Sequence, residues 1–582
     1  MAYDKDSPYG IALRGPRRTL KFVNPYRTTR ALNQVELWKL DRHPLDVADA
    51  VIGTYAAAGP SAIDAVPGES ERLKWVGLYP QRQGGDAFML RVKVPGGRLS
   101  SAQAREIGLV AEAFGEGPVD SAVFGNSYAD LTTRQDVQIH WVRIGDVPRI
   151  WKRFAAVGLT TVQACGDSAR NVVSCPASGV DAEEVFDAGP TAVAITELFT
   201  GNREYANLPR KFKISVTGCR EDCARAEIQD IGMWPARSED GRVGFNVLVG
   251  GGLGDGERLA SDVDVFVEPP DAVELSRAVA QLFGELGNRE NRGQSRMRYL
   301  VQELGAEGFR SELAARTALQ LEPAGEELTR RHRGDHVGVH RQKQPGLVYV
   351  GCSVPVGRMN GLELVEAARL AERYGDGDLR LSSDQNFILT GVPEDRVDDL
   401  LSEALLQKYS PNPGPFERGV VACTGSEFCR FAVVETKERA VSWARRLDRA
   451  LASEPVADAT ATGATADDGI IRMHFSGCSA SCAQPQIADI GFRGDTAHVG
   501  ASIVEAVDIG MGGSLGLDAG FIDWVENARP VDDVPEALLR VVRQYRSERR
   551  AGETFHNWAR RTPNEELRAI LARAEVGTGD RR

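Results

Sequence analysis

The sequence predicts an α+β fold in which one sheet-and-helix module is present twice. First, related motifs recur at a spacing of roughly 250 to 260 residues, which indicates an internal duplication. Second, runs of alternating or continuous apolar residues, as at 132–140, are typical of strands. Third, apolar residues recur at helical spacing over 45–58 and 534–573.

Length and charge limit the class of protein. The chain has 582 residues, more than one hydrophobic core usually supports, so we expect several domains. Its net charge of −12 argues against nucleic acid or an anionic membrane as a partner. We find no apolar run of membrane-spanning length and no signal-peptide core, so we expect a cytoplasmic protein with reduced thiols. A basic segment at 14–30 is interpreted as a solvated arm.

The first part of the repeat predicts matching strands and turns. Residues 88–98 parallel 347–358, and each segment indicates a strand, a turn and a helix start. Residues 132–140 parallel 382–389, and both are predicted to be buried strands. Each copy of the module therefore begins with the same strand-rich unit.

The repeat continues through a pair of cysteines in each copy. Residues 217–232 match 476–491 at a constant offset of 259. Glycine-rich segments at 250–254 and 512–516 also correspond, and we interpret them as tight loops because they do not satisfy G-x-G-x-x-G.

The two copies differ in their number of cysteines. We place Cys165 opposite Cys423, and the residue six positions after Cys165 is Asn171, where the second copy has another cysteine. The first copy therefore offers at most three of four thiolates. We interpret Cys219 and Cys223 as buried thiols left from the duplication, with a metal or a second cluster as the alternative.

Four cysteines of the second copy predict an iron–sulfur cluster. They form a C-x5-C pair and a C-x3-C pair, namely Cys423 with Cys429 and Cys478 with Cys482. Structural zinc sites usually pair their ligands at C-x2 to C-x4, so the first pair fits zinc poorly. Disulfides are the simpler alternative, but nothing in the chain suggests an oxidising compartment, and nine cysteines would leave one unpaired.

These motifs carry a resemblance to a known family. Residues 422–429, 477–484 and 488–492 resemble the cluster loops of the ferredoxin-dependent nitrite and sulfite reductases, and the likeness extends over nearly the whole chain. The resemblance implies a siroheme and a [4Fe–4S] cluster, with Cys482 as the thiolate that bridges the two. It also implies six-electron reduction of nitrite or sulfite, with electrons from reduced ferredoxin.

The resemblance also implies a substrate site of basic residues. Reduction of a small oxyanion needs cations that hold the anion and groups that supply protons, and arginine and lysine meet these needs. By position, the family's substrate residues fall on Arg91, Arg170, Lys211 and Lys213. Since these belong to the first copy and the cluster cysteines to the second, we expect a site between the two copies.

Further residues are implied to contact the siroheme. Its carboxylates require cationic and hydrogen-bonding partners, for which the matched strand offers Arg134, Gln138 and His140. For His140 the alternative is a hydrogen-bonded core histidine. Tyr79 and Cys165 fall where some members join a tyrosine to a cysteine, although a free buried Cys165 is equally compatible with the sequence.

The resemblance gives a domain order. It places an N-terminal arm with helices at 1–75, a ferredoxin-like half-domain at 76–150, a siroheme-binding module at 151–335, a second half-domain at 336–412, and the cluster-binding module with C-terminal helices at 413–582. The repeat leaves no residues for a flavin or nicotinamide domain, so the electron donor must be another protein. We expect a monomer.

The substrate is predicted to be nitrite, with sulfite as the main alternative. Residues 422–429 and 434–437 resemble nitrite reductases, whereas Lys213 and residues 164–167 resemble sulfite reductases. More distant alternatives are an enzyme of the precorrin-3B synthase type, which lacks siroheme, and an electron carrier without catalysis. The basic motifs argue against a carrier, which needs no anion pocket.

Overall fold

The computed structural model describes residues 4, 6–15, 31–117, 126–254, 256–330, 333–454 and 469–573. Most of the basic segment predicted to be a solvated arm therefore lies outside the described residues. The chain divides into two compact units: unit 1 comprises residues 1–252 and 256–412, and unit 2 comprises 253–255 and 413–582. Among the described residues, no helix has both the length and the apolar character needed to cross a membrane.

Unit 1 contains three sheets. Its strands are, in chain order, β1 Leu78–Pro80, β2 Phe88–Val92, β3 Arg98–Ser100, β4 Tyr128–Leu131, β5 Val137–Val142, β6 Val173–Ser174, β7 Ile214–Val216, β8 Ile231–Arg237, β9 Val243–Val249, β10 Ser261–Val267, β11 Glu326–Glu327, β12 Gly338–Arg341, β13 Leu347–Cys352, β14 Arg358–Asn360, β15 Asp378–Leu381 and β16 Phe387–Pro393. The longer α-helices are Gln34–Asp41, Ser101–Phe114, Val147–Ala156, Gly189–Phe199, Ala272–Leu286, Met297–Ala314 and Gly361–Tyr374.

Two of these sheets exchange a strand. Their orders are β1-β2-β5-β4-β14 and β12-β13-β16-β15-β3, so each sheet ends with a strand from the other half-domain. The helices Ser101–Phe114 and Gly361–Tyr374, which follow the exchanged strands, both begin with a capping box and pack against each other. A Cβ on Gly108 would lie 2.4 Å from the carbonyl oxygen of Gly361, so the close approach of these helices requires glycine.

The third sheet of unit 1 has the same topology as the sheet of unit 2. Unit 2 contains β17 Val420–Ala422, β18 Met473–Ser476, β19 Ile490–Val499, β20 Ser502–Met511 and β21 Asp523–Pro530, and its longer helices are Lys437–Leu451, Val534–Glu548 and Asn564–Ala572. In both sheets the first three strands are parallel and the last two are antiparallel additions, in the orders β6-β7-β8-β9-β10 and β17-β18-β19-β20-β21. The predicted α+β fold with a repeated module is confirmed.

Two predicted strands begin later than expected. The segments at 132–140 and 382–389 each open with a turn, and the strands start at Val137 and Phe387. Gln135 and Gln385 have left-handed φ angles of 59° and 66°, which ends the extended conformation. The predicted helical regions are present: 47–58 is continuously helical, and three helices occupy 534–572.

The strand register corrects the alignment of Cys165 with Cys423. Ser174 of β6 is opposite Val216, and Ala422 of β17 is opposite Phe475, while Val216 and Phe475 correspond at the offset of 259. The residue after β6, Cys175, is therefore the counterpart of Cys423. The residue six positions further is Asp181, so the first copy still has at most three of the four thiolates.

Candidate functional site

The four predicted cluster cysteines lie on two loops of unit 2. Cys423 directly follows β17, Cys429 lies in the same loop, and Cys478 and Cys482 lie between β18 and β19. Strands β17 and β18 are parallel neighbours, so the loops that leave their carboxyl ends begin at the same edge of the sheet. The fold thus brings the two cysteine pairs together.

Backbone contacts fix the first of these loops. The Gly477 N–H donates to Cys423 Sγ at 3.2 Å, which joins the two cysteine loops directly. The Thr436 hydroxyl donates to the Cys423 carbonyl at 2.7 Å, and the Cys429 N–H donates to the Gly425 carbonyl at 3.0 Å. Gly425 has a φ of 69°, and a Cβ there would lie 2.6 Å from the Thr436 hydroxyl, so the turn requires glycine.

The electrostatics of these thiols suit a polynuclear metal centre. Burial, together with negative charge on Cys482 and Cys429, raises the pKa of Cys423 to about 12. Burial, followed by the same two neighbours, also raises the pKa of Cys478. Since neighbouring negative charge disfavours ionisation of Cys423 and Cys478, a bound metal centre would stabilise their thiolate forms. Cys482 is the exposed member of the set.

Unit 1 brings the predicted basic residues together. Arg91 lies on β2, Arg134 in the turn before β5, Arg170 just before β6, and Lys211 and Lys213 just before β7. The positive charges of Arg91 and Arg170 lower the pKa of Arg134, and those of Lys211 and Arg134 lower the pKa of Lys213. We call these five residues the basic cluster.

The basic cluster is half-buried. Burial, followed by the charges of Lys211 and Arg296, lowers the pKa of Lys213 well below its usual value. Burial also lowers the pKa of Arg134 to about 10, against the opposing charge of Asp136. Within the described part of the chain, no atom accepts the buried Nε–H of Arg134 or of Arg296. Such donors fit the carboxylates of a tetrapyrrole or a substrate anion.

Two titratable residues beside this cluster were not among the residues predicted from the sequence. Burial lowers the pKa of Lys93 to about 7, with Asp136 opposing and Arg170 contributing to the shift. Burial raises the pKa of Asp136 to about 6, against the charges of Arg91, Arg134 and Lys93. The available signals were position and charge. Lys93 follows Arg91 by two residues, and in an extended chain this spacing places both side chains on the same face.

The remaining siroheme candidates lie on β5. Gln138 is opposite Arg91 in the strand register, which places it beside the basic cluster. His140 is fully buried, with Nδ1 3.3 Å from the Gln81 side-chain oxygen and Nε2 3.3 Å from Asp130. This is the arrangement of the alternative interpretation, a hydrogen-bonded core histidine.

Tyr79 lies beside Arg91 of the basic cluster. The guanidinium of Arg91 lies 5.5 Å from the centre of the Tyr79 ring, a cation–π distance. Cys165 is buried as a free thiol. Its linkage to Tyr79 stays a prediction.

A second group of cysteines is present in unit 1. The ligand atoms of Cys175, Cys219, Cys223 and His336 all lie within 4.8 Å of one another, and all four side chains are buried. The sequence favours duplication remnants for Cys219 and Cys223, with a metal or a second cluster as the alternative, and it does not connect Cys175 or His336 with them. The sequence signal was Val172-Val-Ser-Cys175, which parallels Val420-Val-Ala-Cys423.

The chain is similar to known proteins over most of its length. Residues 165–321 match the family described as "Nitrite and sulphite reductase 4Fe-4S domain", and residues 79–157 and 340–406 match the "Nitrite/Sulfite reductase ferredoxin-like half domain". An assimilatory ferredoxin-dependent nitrite reductase of Haloferax mediterranei is 41% identical, with 90% of each chain covered.

Two further comparisons agree with this one. A ferredoxin–nitrite reductase of Synechococcus elongatus is 38% identical over 88% of this chain and 97% of the relative. The solved structure of the Mycobacterium tuberculosis NirA protein superposes with a TM-score of 0.83 at 32% identity, covering 92% of this chain and 98% of that one. At these coverages the similarity extends into both units.

Proposed function

We propose, because the chain belongs to the nitrite and sulfite reductase family, that it reduces nitrite to ammonia in a six-electron reaction with reduced ferredoxin as donor. The chain is an oxidoreductase of this family. The observation that carries the proposal is the basic cluster of unit 1, a half-buried set of five cations in which the Nε–H of Arg134 has no acceptor among the described residues. An electron carrier has no need for such a set.

The residues present fit the family's cofactors, siroheme and a [4Fe–4S] cluster. Cys423, Cys429, Cys478 and Cys482 would ligate the cluster, and Cys482 would provide the thiolate shared with the siroheme iron. Arg134 and Gln138 would bind the siroheme carboxylates. When bound, these groups supply the electrons and the metal to which the anion coordinates.

The protein's own groups would bind the anion and move protons. Arg91 and Arg170 present guanidinium groups, which form paired hydrogen bonds with an oxyanion. Lys213 has a pKa lowered by burial and by Lys211, so it releases a proton more readily than an exposed lysine does. A lysine with a lowered pKa is better suited than an exposed lysine to act as a general acid in the reduction.

Sulfite is the second candidate substrate. Lys213 favours it, because an additional cation helps to hold the more highly charged anion. The relatives are named as nitrite reductases, which supports nitrite as the preferred substrate.

Steady-state kinetics of the purified enzyme with one reduced donor and both anions test the proposal. We expect a higher kcat/KM for nitrite than for sulfite, together with a siroheme band in the visible spectrum. A higher kcat/KM for sulfite would reassign the substrate, and a spectrum without a tetrapyrrole band would refute the proposed reaction.

A pair of variants tests the role of the basic cluster. Arg170→Ala should lower kcat/KM for nitrite at least tenfold while the cofactor spectrum persists, because one charge-assisted contact is lost. Arg149→Ala is the matched control, since this arginine has a side chain that is 72% exposed and forms a surface ion pair with Asp146 at 3.3 Å. Equal kinetics of the two variants would remove Arg170 from the site.

A further inference from the structure

The second cysteine group of unit 1 is assembled from three separate segments. Cys175 follows β6, Cys219 and Cys223 lie in the loop after β7, and His336 precedes β12. The four residues are at most 8% exposed. Cys175 Sγ lies 3.4 Å from His336 Nε2, and all four ligand atoms lie within 4.8 Å of one another. Segments far apart in sequence thus direct four metal-binding atoms at one point.

We propose that Cys175, Cys219, Cys223 and His336 bind a single zinc ion, independently of the reaction proposed above. Zinc prefers four ligands in a tetrahedron, at about 2.3 Å for sulfur and about 2.0–2.1 Å for nitrogen. That geometry separates two sulfurs by about 3.8 Å and a sulfur from a nitrogen by about 3.6 Å. The 3.4 Å between Cys175 Sγ and His336 Nε2 is close to the second of these values, and all the ligand atoms lie no more than 4.8 Å apart. Three thiolates and one imidazole are a ligand set that selects zinc.

Neighbouring groups orient the proposed ligands. His336 Nδ1 lies 3.1 Å from the Tyr349 hydroxyl, which directs Nε2 towards the sulfur atoms. A partner for the second ring nitrogen is typical of metal-binding histidines. The Glu221 N–H donates to Cys219 Sγ at 3.4 Å, which offsets the charge of a thiolate. The ligands therefore have the supporting contacts that a zinc site requires.

The backbone at His336 is also held in an unusual conformation. His336 has a φ of 59°, a left-handed value that residues with side chains rarely adopt. Its carbonyl oxygen would lie 1.8 Å from a Cβ on Gly351, so only glycine permits the chain to pass there. The local cost of this conformation is compensated when His336 serves as a ligand.

A [4Fe–4S] cluster does not fit this group. The ligands of such a cluster bind four different irons, which holds them further apart than the ligands of one ion. The counterpart of Cys429 in this copy is Asp181, whose carboxylate lies 3.8 Å from Cys219 Sγ. Loss of the fourth cysteine and recruitment of His336 are consistent with a duplicated cluster site that became a site for one ion. With four protein ligands, the ion has no open position and its role is structural.

Metal analysis of the full-length holoenzyme tests the proposal. We expect about one zinc per chain, in addition to the iron of one siroheme and one cluster, and a zinc absorption edge whose fine structure fits three sulfurs at about 2.3 Å and one nitrogen. Any of three results would overturn the proposal: zinc at background level, more iron than the two cofactors account for, or a zinc coordination shell without sulfur.

Variants distinguish this site from adventitious zinc. After dialysis against a chelator, His336→Ala should retain at least tenfold less zinc than the wild type, with unchanged cluster iron. Tyr349→Phe keeps the aromatic ring but removes the partner of Nδ1, and should weaken zinc affinity about tenfold. Cys352→Ala, a buried thiol without these contacts, is the control. Zinc retention equal to wild type in both His336→Ala and Tyr349→Phe would refute the assignment.

Discussion

Asp167 provides a buried carboxylate on which several basic residues of unit 1 converge. Arg292 donates to both carboxylate oxygens, at 2.6 and 3.1 Å, and Lys39 Nζ lies 3.4 Å away. Arg210 approaches to 3.7 Å, and the carboxylate is only 2% exposed. Although burial alone would raise it, the charges of Lys39 and Arg292 hold the pKa of Asp167 well below its usual range. Replacement of this carboxylate should therefore lower the free energy of unfolding.

The Asp167→Asn variant keeps the shape of the side chain and removes its charge. Breaking a buried ion pair costs about 3–5 kcal/mol. We expect about 3 kcal/mol here, at the lower end of that range, because Lys39 retains its ion pair with Glu36. With an unfolding entropy of about 2.1 cal/mol/K per residue, a unit of roughly 400 residues should lose about 4 °C in Tm.

The pH dependence of this difference follows from the sign of the pKa shift. The unfolded carboxyl has a pKa near 3.9, whereas the pKa of the folded carboxyl is lower. The ion pairs therefore stabilise the fold fully above about pH 5, and this stabilisation is lost as the pH falls through the folded pKa. The Tm difference between wild type and Asp167→Asn should be the same at pH 7 and pH 6.

Differential scanning calorimetry of the holoenzyme measures these quantities. Arg105→Ala is the control, since Arg105 and Glu372 form a solvent-exposed pair at 2.5 Å that we expect to contribute less than about 1 kcal/mol. If Asp167→Asn lowers the Tm no more than Arg105→Ala does, the description of Asp167 as a stabilising centre is wrong.

Three further predictions concern the proposed reaction. Cys429→Ala should lose cluster iron, measured per chain, whereas Cys352→Ala should keep it; equal iron contents would exclude Cys429 as a ligand. The KM for nitrite should rise as the pH increases from 6 to 8, because Lys93, with a pKa of about 7, loses its positive charge. The Lys93→Met variant should show a flatter pH profile. An unchanged profile in the variant would assign the titration to another group. Lys213→Asn should reduce sulfite turnover more than nitrite turnover, and the opposite order would give Lys213 a different role.

Some features could be predicted from the sequence because they depend on local spacing. The C-x5-C and C-x3-C pairs identified the loops after β17 and β18, and the constant offset of 259 identified the duplicated sheet. The basic cluster was predicted through the family resemblance, since a single arginine on a strand gives little signal by itself.

Other features depend on spatial relations that the sequence does not display. The sequence aligns Cys165 with Cys423 because both follow alanine, but the segment between the next helix and strand is longer in the second copy, 452–472 against 200–213, which changes the offset between the copies. Loops tolerate such insertions, so strand register is the safer guide. His336 lies far along the chain from Cys175 and Cys219, and no spacing rule connects them. The pKa values of Lys93 and Asp136 depend on burial, which appears only in the folded chain.

The strand exchange in unit 1 affects how the protein folds during its synthesis. β4 pairs with β14, so Asp130 meets Arg358 only after the ribosome has added more than 200 further residues. At about 5–20 residues per second, that interval lasts roughly 10–50 s. During this time the nascent first half-domain exposes an unpaired strand edge, a feature that promotes aggregation. A fragment that ends before β14 should therefore need a chaperone to stay in solution, whereas the complete chain supplies its own missing strand.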